Sequence, residues 1–346
     1  MSAIMAVVRD AAERDAERDA ERDAERDAER DEVPRTLRYV TCDVFTTSAF
    51  TGNQLAVVFG AEGLPTETLQ AITREFNYSE TTFVFAPEDA VNTRRVRIFT
   101  PEEELPFAGH PTIGTAHALV ALGEVTADGD EVTIVLEEAI GPVRVRVRMA
   151  HGVPVHAQLT TGKLPEERAM TPGLVALAAM LSLAPDDFVG GAHSPMAVSC
   201  GIPWLIIPLV SLDAVKRARV RLDLWEQQLK GQWGSWPFVF AMTNGASDPS
   251  APAHIRHTDI RARAFLPGAA VPEDPATGSA NACLAGYLAA RTPRDGVLTW
   301  EVAQGVEMGR ASRVSIEASK VNGAIEAVRV GGATVMISEG VLTLRS

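Results

Sequence analysis

From Leu37 onward the chain alternates short apolar runs with polar breaks, and the period of each run predicts its element. "RYVTCDVF" (38–45) and "NQLAVVFG" (53–60) are strand-like. "TETLQAITREF" (66–76) carries Leu69, Ile72 and Phe76 at helical spacing, so one face of a helix is apolar. Strand-like "TTFVFAP" (81–87) and "RRVRIFTP" (94–101) follow, then a helix from about His110 to Leu122. "VTIVLEE" and "PVRVRVRM" come next, the latter alternating Val with Arg as a half-exposed strand does. Beyond them "GLVALAAMLSLAP" (173–185) has 13 residues, too few to cross a bilayer as a helix, and is expected to be a buried helix. "WLIIPLV" (204–210), two helical pieces near 211–230, "FVFAMT" (238–243), "RARAFLP" (261–267) and a helix from about Ser279 to Ala290 complete the pattern before several Val- and Ile-rich strands.

The second half repeats the first. "RIFTP" (97–101) answers "RAFLP" (263–267), "FTGNQ" (50–54) answers "SCGIP" (199–203), and Gly109–His110 answers Gly278–Ser279. Both "TIGTAHALVAL" and "ANACLAGYLAA" are small or apolar on nearly every side, the pattern of a helix buried all round. The expectation is an α+β chain of two similar domains, each a sheet around a central helix. The domains are 35–152 plus about 334–346, and 153–333.

Residues 1–34 stand apart. The tract 9–32, built on "DAER", has six Arg, six Asp and six Glu, so −6 of the chain's −13 lies there. A strict four-residue period sets like charges at i,i+4 and leaves no apolar stripe, so a solvated tail without catalytic part is expected. The acidic balance speaks against a nucleic-acid or anionic-membrane surface, which needs clustered basic residues. Cys42, Cys200 and Cys283 lie far apart and form no C-x-x-C pair, so neither a zinc knot nor a disulfide framework is indicated, and a cytoplasmic location is expected. The nucleotide-binding, hydrolase and zinc-protease motifs that could be checked, such as G-x-G-x-x-G, G-x-S-x-G and H-E-x-x-H, do not occur. His254 and His257 lie in a probable strand and would face opposite ways, and His117, two turns inside an apolar helix, reads as a core histidine. No metal is expected.

What remains is the pair of helix starts. A helix N-terminus presents unpaired N–H groups and a partial positive charge, and glycine lets a ligand approach them closely. Two such ends facing one cleft, Gly109–His110 and Gly278–Ser279, would bind a carboxylate or steady a developing enolate. A plain N-cap serine at Ser279 and a structural hydrogen bond for His110 are the simpler roles; the repetition favours function. Among carboxyls, Glu80 at a strand start could be partly desolvated, which would lift its pKa toward the range for proton transfer, although taken alone an exposed surface glutamate is the simpler reading. Asp274 in "PEDPATG" precedes the helix, and a turn or capping role is its alternative. Glu102, Glu103 and Glu104 read as solvated loop residues.

Taken together, "TGNQLAVVF", "NYSETTFVF", "IFTPEEELPFAGHPTIGTA", "EDPATGSANACLAGYL" and "QGVEMGR" resemble the PhzF-like phenazine-biosynthesis family, of the superfamily with the diaminopimelate epimerase fold. The resemblance covers about 37–346. It implies two similar domains, each a curved, largely antiparallel sheet wrapped around a central helix, with the active site between them. It also implies a cofactor-free isomerase acting on a small carboxylate, as the best-known member acts on trans-2,3-dihydro-3-hydroxyanthranilate, and a homodimer. Glu80 would be the acid/base, and His110 and Asp274 would orient substrate and protons. Gly109, Gly278 and Ser279 would hold the substrate carboxylate. Gln54 departs from the proline that usually follows "GN" in the family. A binding or regulatory protein that kept the cleft without turnover is the competing reading.

Overall fold

In the computed structural model the described residues are 34–344, apart from 170–171, 244, 250 and 270. The charged tract 9–32 therefore lies outside them. Residues Tyr39–Gly340 form one compact unit. The strands of the first half are β1 (Arg35–Val44), β2 (Asn53–Phe59), β3 (Glu80–Phe85), β4 (Arg94–Phe99), β5 (Glu104–Leu105), β6 (Glu131–Glu138), β7 (Gly141–Ala150) and β8 (Val153–Thr160). Those of the second are β9 (Glu166–Arg168), β10 (Met196–Ser199), β11 (Pro203–Pro208), β12 (Pro237–Met242), β13 (Ile260–Phe265), β14 (Glu273–Asp274), β15 (Gly296–Gln304), β16 (Ser312–Val321), β17 (Ala324–Gly332) and β18 (Thr334–Leu344).

Pairing bears out the repeat strand by strand. β1–β2, β3–β4, β6–β7 and β7–β8 are antiparallel, whereas β2–β3 and β4–β6 are parallel. The second half gives β10–β11, β12–β13, β15–β16 and β16–β17 antiparallel, with β11–β12 and β13–β15 parallel. The register coincides as well: Ile98 faces Leu105 on the short β5 as Ala264 faces Asp274 on β14. The two sheets join where Arg329–Gly332 of β17 pairs with Ala157–Thr160 of β8.

Each half wraps a helix. The first central helix, Gly109–Ala121, is buried from Gly109 through Val120, and the second, Gly278–Arg291, is buried from Ala280 through Ala289. Small residues make this possible. Gly114 packs against Val44 and Leu55 so tightly that a Cβ would come within 2.6 Å of both. Both helices share one apolar core that includes Ile113 and Leu119 on one side and Leu284 and Tyr287 on the other.

Two local expectations need correction. The run 173–185 makes only a seven-residue helix, Leu174–Met180, and leaves Leu174 and Val175 exposed. A helix on the outside of a sheet buries one stripe only, here Leu177, Ala178 and Met180. His254 lies in the 3₁₀ turn Ala253–Ile255 rather than in a strand. Among the described residues no helix is long and apolar enough to cross a membrane.

Candidate active site

The two central helices meet tip to tip. A Cβ built on Gly109 would lie 3.1 Å from the Cα of Gly278 and 3.7 Å from the Ser279 nitrogen, and one on Gly278 would lie 3.1 Å from the Cα of Gly109. Any side chain at either position would push the tips apart. The N-cap residues are Ala108 and Thr277, and neither caps its helix with a side chain. The leading N–H groups, which have no partner inside a helix, are thus held side by side. Ser279 is the second residue of its helix, not the cap, and its hydroxyl accepts a hydrogen bond from the Trp204 indole at 3.0 Å.

Glu80 opens β3, where the parallel partner is Leu55 of β2. Its Oε2 lies 3.3 Å from Nε2 of His110. That approach is not aligned for a hydrogen bond: the ring N–H bonds the Gln54 carbonyl at 3.3 Å, and Glu80 Oε2 is buried without a hydrogen-bond partner. Desolvation lifts the Glu80 pKa to about 7, against a lowering by the Ser79 hydroxyl, with the charge of Glu102 adding to the rise. Desolvation likewise lowers His110 to about 4, despite the opposing pull of Asp274 and of the Gln54 carbonyl. A protein near neutral pH therefore holds this imidazole uncharged, and the Glu80–His110 contact is not an ion pair.

Asp274, on the other half, reaches the same cluster through Asn53. The Asn53 carboxamide donates to Asp274 Oδ1 at 2.8 Å and to the Ala276 carbonyl at 3.1 Å, and its nitrogen lies 3.2 Å from Nδ1 of His110. Burial and then the charge of Glu80 raise Asp274 to about 6, against lowering by His110 and by bonds from Thr277 and Asn53. Thr277 donates to Asp274 Oδ2 at 2.6 Å, and Gln304 holds both by donating to the Asp274 carbonyl and to the Thr277 hydroxyl. Gln54 contributes only its carbonyl here, an atom proline also carries, so this departure from the family pattern leaves the cluster intact.

Glu80, His110, Asp274, Gly109, Gly278 and Ser279 thus lie around one pair of helix tips. A cavity of about 490 Å³ adjoins it, bounded by Gly109, Gly278, Ser279, Phe107, Ile202 and Val330 among others. Glu80, His110 and Asp274 are not in its lining; they adjoin it through the tips. Four contributors went unrecognised in the sequence: Asn53, Ser79, Thr277 and Gln304. All sit in or beside the quoted motifs, but a hydrogen bond between residues 221 positions apart, such as Asn53 to Asp274, has no local signature. Among the described residues no three His, Cys, Asp or Glu side chains converge as metal ligands. Glu102, Glu103 and Glu104 are exposed, as the solvated reading expects, and Glu104, in the short β5, pairs with Arg97 at 2.6 Å.

A duplicated sheet around two central helices that meet tip to tip is the epimerase-like fold. The family model for phenazine biosynthesis-like proteins matches residues 42–340, and the chain belongs to that PhzC–PhzF family. It is 38% identical over 313 residues to an uncharacterized isomerase of Mesorhizobium japonicum, covering 89% of this chain and 99% of the relative. It is 33% identical over 306 residues to trans-2,3-dihydro-3-hydroxyanthranilate isomerase of Pseudomonas aeruginosa, covering 88% and 98%. The crystal structure of a PhzF-family phenazine biosynthesis protein from Bacillus anthracis superposes with a TM-score of 0.77 at 23% identity, over 89% of this chain and 99% of that one, which shows the fold. The protein is an isomerase of this family.

Proposed function

We propose that the protein is a cofactor-independent isomerase that moves a proton on a small carboxylate substrate, with Glu80 as the acid/base. The observation that carries this is the Glu80 carboxyl: half-buried, lifted to about 7, and with one buried oxygen lacking a hydrogen-bond partner beside the helix tips. A base poised near the working pH both takes and returns a proton efficiently. The N–H groups around Gly109 and Gly278 would hold the substrate carboxylate, and the field of two helix starts would favour the negative charge that builds as a C–H bond ionises. The apolar wall of the adjoining cavity, with Phe107, Ile202 and Val330, suits the uncharged body of the substrate. His110 and Asp274 would orient the substrate and the protons in transit. As in its family, the chain would act as a homodimer.

The test uses the Pseudomonas relative's substrate, trans-2,3-dihydro-3-hydroxyanthranilate, in heavy water. The expected result is deuterium at one carbon, with Glu80→Gln slowing its appearance by about 10²–10⁴-fold while calorimetry still registers binding. A Glu80→Gln enzyme that exchanges at the wild-type rate overturns the assignment. The second reading, a binding protein without turnover, draws on the cavity lining, which holds the tips but not Glu80. Wild type that binds this and other small acids without any exchange would establish it instead.

A further inference from the structure

We infer that Asn53 is a positioning residue that holds His110 as the neutral Nε2–H tautomer, facing Glu80, and ties that ring to Asp274 across the two halves. The argument follows from what each atom can do. A carboxamide nitrogen only donates, and its two hydrogens here meet three acceptors, Asp274 Oδ1, the Ala276 carbonyl and, at 3.2 Å, Nδ1 of His110, so one hydrogen is shared and reaches Nδ1 only where that nitrogen carries no proton. The remaining proton is then on Nε2, where the Gln54 carbonyl accepts it at 3.3 Å. A doubly protonated ring would set an N–H against the Asn53 amide hydrogens, so the same contact disfavours the imidazolium.

The carboxamide cannot be turned round. Its oxygen accepts from the Ser79 hydroxyl at 2.9 Å, and exchanging oxygen and nitrogen would point that oxygen at two acceptors, Asp274 Oδ1 and the Ala276 carbonyl. Nor does the fold itself call for an amide at this place. Asn53 follows Gly52 as Ile202 follows Gly201 in the matching turn of the second half, and there an isoleucine serves. Asn53 is only 1% exposed, so its role is to orient other groups rather than to touch substrate.

The decisive measurement is the ¹⁵N spectrum of the His110 ring without substrate, in wild type, Asn53→Leu and Ser79→Ala. Wild type is expected to show an unprotonated Nδ1 and a protonated Nε2 from pH 6 to 8. Asn53→Leu removes the donor and should give a mixture of tautomers; Ser79→Ala, which loosens the carboxamide and removes the hydroxyl's effect on Glu80 but leaves the donor in place, should shift the populations less. A wild-type ring protonated at Nδ1, or an Asn53→Leu ring unchanged from wild type, overturns the inference. If Asn53→Leu does not fold, the wild-type and Ser79→Ala spectra decide, and an unaltered ring in Ser79→Ala then counts against it.

The kinetic arm rests on the proposed function: deuterium exchange in Asn53→Leu should fall about tenfold to a hundredfold with KM little changed. Full exchange with a scrambled tautomer overturns the positioning role, whereas failure of the function would appear separately as undiminished exchange in Glu80→Gln.

Discussion

A carboxyl group that must both lift and return a proton works best half-ionised, and burial is the means by which Glu80 approaches that state. With its pKa near 7, exchange should climb through neutrality as the base forms and level off about one unit above; Asp274, raised to about 6, ionises within the same rise, while His110, neutral above about 4, adds no limb in that range. A rate profile for kcat/KM between pH 5 and 9 checks this; a curve that is flat or falls across pH 7 contradicts it. Glu80 itself was legible as one candidate among the carboxyls, but a lone Glu before an apolar strand reads equally as a surface residue, and only the family resemblance singled it out. Its partners were not legible. Asn53 reads only as the first residue of a strand and Ser79 as part of a polar break, until the sheet brings β2 beside β3 and the first central helix beside both.

At the scale of elements, the central helices were legible because small and apolar residues on every side leave only burial as an outcome. The strands were legible from their alternation, and the short helix at Leu174–Met180 was overextended because an apolar run gives no sign of where one stripe suffices. One strand end carries an independent test. Glu138 closes β6, is buried, accepts a 2.6 Å hydrogen bond from Thr112 in the first central helix, and has its pKa lifted from 4.5 to about 8 by desolvation, against a lowering by that bond. The folded chain keeps this proton where the unfolded chain releases it. Stability from this group is therefore complete below about pH 4.5 and is lost as the pH rises through about 8. Glu138→Gln keeps an acceptor for Thr112 and has no charge to bury. Denaturant melts should find it equal to wild type at pH 4 and more stable at pH 9, by an amount on the order of a few kcal/mol. Equal stabilities at pH 9 would mean that the folded carboxyl ionises without difficulty.

For the whole molecule, the link between the two sheets is the β8–β17 pairing, and it leaves no room at Gly331, where a Cβ would lie 2.6 Å from the Ala157 carbonyl. Gly331→Ala should lower stability by about 1–3 kcal/mol, against a negligible change for Gly190→Ala, which has open space around it. Equal melting of the two variants would show that the link gives way freely. The repeat behind this arrangement was visible in the sequence through matched motifs, but the unequal use of its halves was not. By strand register Leu105 stands where Asp274 stands in the other half. Thr81 and Pro237 correspond in the same way, so Trp236 holds the place of Glu80. Ile202 answers Asn53 and Ser279 answers His110. The two copies therefore bring different groups to the site: Glu80, His110 and Asn53 from the first, Asp274, Thr277 and Ser279 from the second. If Glu80 carries the hydrogen, its counterpart Trp236 offers no acid in return, so this strand pair cannot act as two opposed bases, and a single carboxyl that takes and returns the atom suffices to relocate a double bond.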